Sequence, residues 1–369
     1  MNYRKELYFY KDIYDYEETN QLFLNAVKEN ITYHRKHNKL YRGILKRKKF
    51  SIHDIKSYDD LYKIPFIPTI YFKRNKIASV KGYKLIVKAT SSGTTGKRSE
   101  IGFDFNSLFY AAVMAFKMSK YHKLLSNKCT NYIVLGYEPH KSNQTVITKT
   151  QYVSTLFAPP IRREYAIKYR DGRYEVDFKG ITKVMDQYAK KKHPVRIVGF
   201  PSYTLFLLQW LKSSGLSYQL PKGSMLMLGG GWKGFYKDQV EKEELYELAY
   251  EVLGIKAHNC REFFGAVEHP SLYCSCQNNH FHVPIFSRVI IRDVDSLKPV
   301  ANGKVGLVNL ITPLAKSMPL VSIMTDDLGI LHEGRSCGCG INAPYFEILG
   351  RVGVKDIKTC AAGASELLK

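Results

Sequence analysis

Between residues 84 and 254, short apolar or β-branched runs alternate with longer amphipathic stretches. KLIVKA (84–89), NYIVLGY (131–137), VRIVGF (195–200) and the start of SMLMLGGG (224–231) have the length and composition of strands. Between them lie helix patterns. One begins near Asp104 or Asn106 and runs through YAAVMAFKM; PSYTLFLLQWLKSSG (201–215) has Pro at its start and Gly at its end; DQVEKEELYELAYEVLG (238–254) stops at Gly254. This alternation predicts an α/β sandwich with a largely parallel sheet over 84–270. Upstream, Leu22, Phe23, Ala26, Val27 and Ile31 recur at helical spacing, so residues 1–83 are expected to be mainly helical, with IPFIPT (64–69) a proline-punctuated connector. Beyond residue 270, HFHVPIFSRVIIRDV, a turn at NGKVG, LVNLIT and LVSIM predict a β-rich, antiparallel subdomain over 271–350, followed by a short tail at 351–369.

The chain has 369 residues, 45% of them hydrophobic, enough for a full core. No apolar run reaches membrane-spanning length, and MNYRKELYFY lacks a signal-peptide core, so a cytoplasmic protein without a membrane span is expected. The net charge of +23, from 56 basic and 33 acidic residues, suits a polyanionic ligand. It brings no RNP-type, zinc-finger or helix-turn-helix signature with it, and nucleic acid is not expected as a partner. Seven cysteines, an odd number without a secretion signal, argue against a disulfide framework.

The stretch TSSGTTGKR (90–98) concentrates hydroxyls, two glycines and two cations directly behind a predicted strand. Such a loop exposes backbone N–H groups and hydroxyls to phosphate oxygens, and a following cation completes the cradle. It is not a P-loop. Ser91 stands where G-x-x-x-x-G-K-[ST] needs its first glycine, and Arg98 follows Lys97 where Ser or Thr is required.

Two C-x-C pairs, CSCQNNHFH (274–282) and CGCG (337–340), offer four thiols and two imidazoles. Paired ligands on two hairpins are a common layout for structural zinc, although C-x-C is tighter than the usual C-x-x-C. Buried free cysteines are the alternative.

The loop at Ser91, Ser92, Gly93, Thr94, Thr95, Gly96 and Lys97 resembles the signature of the adenylate-forming superfamily, with no proline before the lysine. Further motifs follow in that superfamily's order. LGGG (228–231) resembles the glycine-containing strand end that lies against adenine, through Gly230 and Gly231. FFGAVEHP (263–270) is similar to Y-G-x-[TS]-E, with Phe264, Gly265 and Glu268 in place and Val267 replacing the hydroxyl. TDDLG (325–329) resembles T-G-D, with Asp326 replacing the glycine, and LGRVGVKD (349–356) resembles the G-R hinge. The resemblance implies that Phe264 packs near the purine, Glu268 helps hold Mg²⁺, Asp327 takes the ribose hydroxyls, and Arg351 contacts ribose or phosphate. The implied fold is the large domain of adenylate-forming enzymes, α/β with a β-rich C-terminal subdomain. The eighteen residues after Arg351 are too few for the small C-terminal domain with its catalytic lysine.

The chain as a whole is similar to acyl-protein synthetases of the LuxE kind, with phenylacetate–CoA ligases as the next relatives. That resemblance implies ATP-dependent activation of a carboxylic, chiefly fatty, acid to acyl-AMP, with Lys97 and Glu268 in the chemistry. The acyl group then passes to a cysteine near the C-terminus, matched by Cys360 in KTCAAG, and on to a LuxC-type acyl reductase partner. Lys355 or Lys358 is placed to lower the thiol pKa. The ligase relatives' pattern favours Cys276, His282, Cys337 and Cys339 for zinc, with Cys274 or His280 as substitutes. Two other functions stay open: a ligase using free CoA, and a non-catalytic nucleotide-binding subunit of an acyl-reductase complex.

Overall fold

The computed structural model describes residues 2–90, 99–141, 146–232, 235 and 238–351. They fold into two compact units. The first comprises residues up to Met118, Gly265–Tyr273 and the chain from His280; the second comprises Ser119–Phe264 and Cys274–Asn279.

The first unit opens with helices α1 (Tyr3–Phe9), α2 (Tyr16–His37) and α3 (Lys39–Arg47). Asp15 caps α2 by accepting the Glu18 N–H, and the helix runs from Glu17 and Glu18 to Arg35, Lys36 and His37, in the sense its dipole favours. Asn38 ends α2 and starts α3, its side chain accepting the Tyr41 N–H at 2.9 Å; one polar residue divides the helical stretch in two. Strand β1 (Ile67–Pro68) and helix α4 (Thr69–Arg74) follow. Strands β2 (Val87–Thr90) and β3 (Glu100–Phe103) then pair antiparallel, and helix α5 (Phe105–Tyr121) starts after Asp104, whose carboxylate accepts the Ser107 N–H. Here sequence and structure differ. The run KLIVKA starts its strand only at Val87, and β2 returns on β3 as a two-stranded sheet rather than joining the parallel one.

The second unit carries the alternating pattern. Its elements are β4 (Thr130–Tyr137), α6 (Val146–Ser154), β5 (Pro160–Arg170), β6 (Arg173–Val176), α7 (Phe178–Ala189), β7 (Val195–Gly199), α8 (Pro201–Ser213), β8 (Met225–Gly229), α9 (Lys242–Leu253) and β9 (Cys260–Ala266). The strands run β9-β8-β7-β4-β5-β6, all neighbours parallel except β5–β6. One face of the sheet packs against α7, α8 and α9 through Ile133, Ile197, Leu226, Met185, Leu208 and Ala249, so the apolar helix at 201–213 is core. Helix α9 begins at Lys242, four residues later than its charge pattern suggests, and ends on Gly254 at φ +66°.

Returning to the first unit, β10 (His269–Cys274), β11 (Phe281–His282), β12 (Arg288–Arg292), β13 (Val305–Ile311), β14 (Ser322–His332) and β15 (Tyr345–Arg351) complete the regular structure of the described residues. Strands β11-β15-β14-β13-β12 form an antiparallel sheet, with β1 alongside β14. The N-terminal helices seal onto it. The Arg288 guanidinium lies 3.9 Å from the Tyr16 ring and 4.1 Å from that of Phe23, and donates to Asn20 Oδ1. His34 is also part of this seal: it is fully buried, against Ser79 and the Ala315 carbonyl.

Candidate active site

Within the first unit, TDDLG lies inside β14, not in a turn, so Asp326 and Asp327 point to opposite sides of the strand. Asp326 accepts the Thr69 hydroxyl at 3.1 Å. Asp327 faces β15, in direct register with Arg351, whose Nε is 3.4 Å from its Oδ1. Pairing of the two strands thus joins the T-G-D-like and G-R-like motifs. Burial pushes the Asp327 carboxyl above its ordinary pKa; Arg351 opposes this, while Asp326 and Glu268 add to it. Glu268 is therefore close enough to be felt electrostatically by Asp327.

Glu268 occupies the turn between β9 and β10 and is 5% exposed. The Ser99 hydroxyl, itself fully buried, donates to Glu268 Oε1. Ser99 ends the hydroxyl-rich loop and begins the approach to β3, so this bond ties the loop's end to the carboxylate. Sequence reasoning missed Ser99, although the hydroxyl run continues to it directly after Arg98. Behind Glu268, the His269 imidazole reaches the Tyr273 hydroxyl at 3.0 Å and the Ser287 hydroxyl at 3.2 Å, in a fully buried group that braces the turn. Gly265 allows that turn to close: a side chain there would come within 3.3 Å of the Ser271 carbonyl.

In the second unit, β8 ends in Gly229, opposite Phe263 of β9, and the chain leaves through Gly230 and Gly231 at φ +83° and +69°. These left-handed conformations favour glycine. Both glycines are exposed and Phe264 is half-buried. Carboxyl ends of parallel strands are where such sheets bind ligands. Ser91, Ser92, Gly93, Thr94, Thr95, Gly96, Lys97 and Cys360 lie outside the described residues.

Of the cysteine pairs, Cys337 and Cys339 lie with His282 in the first unit, their ligand atoms within 4.8 Å of one another, and Cys274 and Cys276 belong to the second unit. A tetrahedron of ~2.3 Å metal–sulfur bonds has edges of about 3.8 Å, so small adjustments suffice. The imidazole of His282 is oriented for this. Its Nδ1–H donates to the Ala343 carbonyl at 2.7 Å, which leaves Nε2, 3.2 Å from Cys339 Sγ, as the free lone pair. His280 Nδ1 lies 3.1 Å from Cys337 Sγ, beside the set, while Cys274 falls outside it, its thiol turned to the Ser275 carbonyl. Gly338 and Gly340, at φ +69° and +89°, let the second pair fold back tightly.

The family profile for acyl-protein synthetases, LuxE, matches residues 11–369. The chain belongs to the LuxE family. Within it the chain is 24% identical over 363 residues to the long-chain-fatty-acid–luciferin-component ligase of Aliivibrio fischeri, covering 96% of this chain and 91% of the relative. The Vibrio harveyi protein of the same name is 24% identical over 354 residues, covering 95% and 89%. In three dimensions this LuxE-family chain is similar to 2-hydroxyisobutyryl-CoA ligase in the postadenylation state with 2-HIB-AMP, at TM-score 0.66 and 12% identity over 92% of this chain and 69% of that one. An open conformation of that ligase with 2-HIB-AMP and CoA gives 0.64 and 13%, over 91% and 75%. The fold is that of adenylate-forming enzymes, and the chain is a ligase of the acyl-protein synthetase type. Among the described residues, no helix is long and apolar enough to cross a membrane.

Proposed function

We propose that this protein joins a long-chain fatty acid to AMP and then carries the acyl group on Cys360 to an acyl reductase of the LuxC type. The observation that carries this is the meeting of Glu268, Asp327 and Arg351, from three separate motifs, in one charged cluster with Ser99. The acid's carboxylate oxygen attacks the α-phosphorus of ATP, and the bond to pyrophosphate breaks. Lys97 and the hydroxyl-rich loop hold the departing phosphates. Asp327 takes the ribose hydroxyls as acceptor, and Arg351 neutralises it while donating to ribose or phosphate. Gly230, Gly231 and Phe264 make the adenine surface. Glu268 is the Mg²⁺ ligand; its carboxylate keeps an oxygen beyond the one Ser99 engages, and the ion supplies charge neutralisation at the phosphates. In the second half-reaction the Cys360 thiolate attacks the acyl carbon, and AMP leaves with the electrons of the broken C–O bond.

Cys276, His282, Cys337 and Cys339 hold a structural zinc, since the protein itself supplies all four ligands. An odd number of cysteines argues against a full disulfide framework and suits a cytoplasmic setting.

Carboxylate-dependent ATP–pyrophosphate exchange with short, long and aromatic acids tests the first step. Exchange confined to long-chain acids is expected. In Cys360→Ser, exchange should persist while the acid-stable, hydroxylamine-labile acyl-protein disappears. Undiminished acyl-CoA formation by that variant would make free CoA the acceptor, and absence of exchange with every acid would leave a nucleotide-binding subunit.

A further inference from the structure

At the amino ends of the parallel strands of the second unit, opposite the edge carrying Gly229 to Gly231, lies a cavity of about 440 Å³. That is within the range of small-ligand pockets. Its wall is built from the first or second residues of four strands, Thr130 of β4, Arg196 of β7, Met225 of β8 and Arg261 of β9. Its charge has one sign. Lys123, Lys128, Arg196, Lys222 and Arg261 line it, and among the described residues no Asp or Glu does.

Arg196 decides what this means. It sits on β7 between Tyr132 of β4 and Met225 of β8 and is 4% exposed. The sheet face around it is an apolar cluster of Tyr132, Val198 and Met227, and the Tyr132 hydroxyl, bonded to the Ala158 backbone, also meets the guanidinium; no carboxylate does. Its Nη1 has no hydrogen-bond acceptor among the described residues. Arg4 and Arg288 each leave a buried Nε unpartnered as well, but the other buried arginines have several acceptors. Arg4 donates to the Leu314 carbonyl and Asn106, Arg288 to Asn20 and two carbonyls, and Arg292 to Asn309 and two carbonyls. Burying an uncompensated guanidinium is costly, and on a central strand it cannot swing out to water. An anion in the cavity would supply the opposite charge that this guanidinium lacks.

We propose that this cavity binds a compact polyphosphate anion, with Arg196 as its buried anchor and Lys123, Lys128, Lys222 and Arg261 as flanking charges. A single carboxylate would leave most of these cations unmatched, whereas a phosphate chain presents several oxygens to a planar guanidinium fork and to lysines around it. The site lies at the sheet edge away from the crevice used by the adenylation reaction, so its occupant is an additional ligand and does not depend on how the acyl group is transferred.

Calorimetric titration of the full chain with sodium tripolyphosphate, at constant ionic strength, tests this. The catalytic end also accepts phosphates, so the comparison is between wild type, Lys222→Glu and Arg196→Met. A binding event is expected in wild type that weakens at least tenfold in Lys222→Glu and vanishes in Arg196→Met, with ATP–pyrophosphate exchange by Lys222→Glu unchanged. Unliganded Arg196→Met should be as stable as wild type or more so, since it loses an unpaired buried charge. Lys128→Glu, an exposed change, gives a second reading should Arg196→Met fold poorly. Identical tripolyphosphate affinity in wild type, Lys222→Glu and Lys128→Glu would overturn the proposal. So would a thermal shift that sodium chloride of equal ionic strength reproduces.

Discussion

Asp327 and Arg351 stand directly opposite each other on β14 and β15, with Arg351 Nε 3.4 Å from Asp327 Oδ1. The pair is unequal: Arg351 is partly exposed, whereas Asp327 is largely covered and its carboxyl is held above the ordinary pKa by burial. A folded-state pKa raised in this way means that the charged form costs stability, and the cost grows as pH rises through that pKa. Asp327→Asn should therefore be as stable as wild type or up to about 1 kcal/mol more stable at pH 8, with the difference closing in acid. The same variant should lose at least tenfold in ATP–pyrophosphate exchange through weaker nucleotide binding. Thermal melts at two pH values beside exchange kinetics check both.

Glu268→Gln retains an oxygen for the Ser99 hydroxyl but loses the charge. Exchange is expected to fall by about a hundredfold or more, the scale of removing one preorganised electrostatic partner, and raised Mg²⁺ should not restore it. Ser99→Ala should instead act on stability, costing roughly 1–3 kcal/mol because a buried carboxylate loses a donor. Urea titrations of the two variants separate the effects.

The cysteine cluster predicts one zinc per chain by plasma mass spectrometry, lost in Cys337→Ser and in Cys339→Ser. Gly334→Ala is a test by geometry. A side chain there would come within 2.1 Å of the Asn342 carbonyl and 2.3 Å of that of Ala343, the acceptor that orients His282. It should cost about 2–3 kcal/mol and lower zinc occupancy although no ligand is changed.

Two buried histidines predict acid sensitivity. Burial lowers the pKa of His34 to about 3, and that of His269 also to about 3. Both are neutral in the folded protein where the unfolded chain is protonated, so their contribution is complete above about pH 6.5 and is lost as pH falls from there toward 3. His34→Gln should be less stable than wild type at pH 8 but show a stability slope smaller by about one proton between pH 6 and 4. Denaturant melts across that range measure it.

Local physics made much of this protein legible from its sequence. Helices at 16–47 and 201–213, the parallel strands with their glycine-ended turns, and the antiparallel run after residue 280 follow from periodicity, caps and turn residues, all of which act over a few positions. The motif residues Glu268, Asp327 and Arg351, and the candidate zinc set Cys276, His282, Cys337 and Cys339, could be named only through the resemblance of their motifs to those of a known family. Tertiary structure decided what periodicity cannot encode. It paired β2 with β3 instead of with the parallel sheet, because strand partners are chosen by long-range packing. It placed Asp327 inside a strand facing Arg351 and set Ser99 against Glu268. It buried His34 under the Ala315 carbonyl, and it left Arg196 on a sheet face with no carboxylate partner. Burial and partner choice depend on what the rest of the chain brings to each side chain, and no window of sequence contains that.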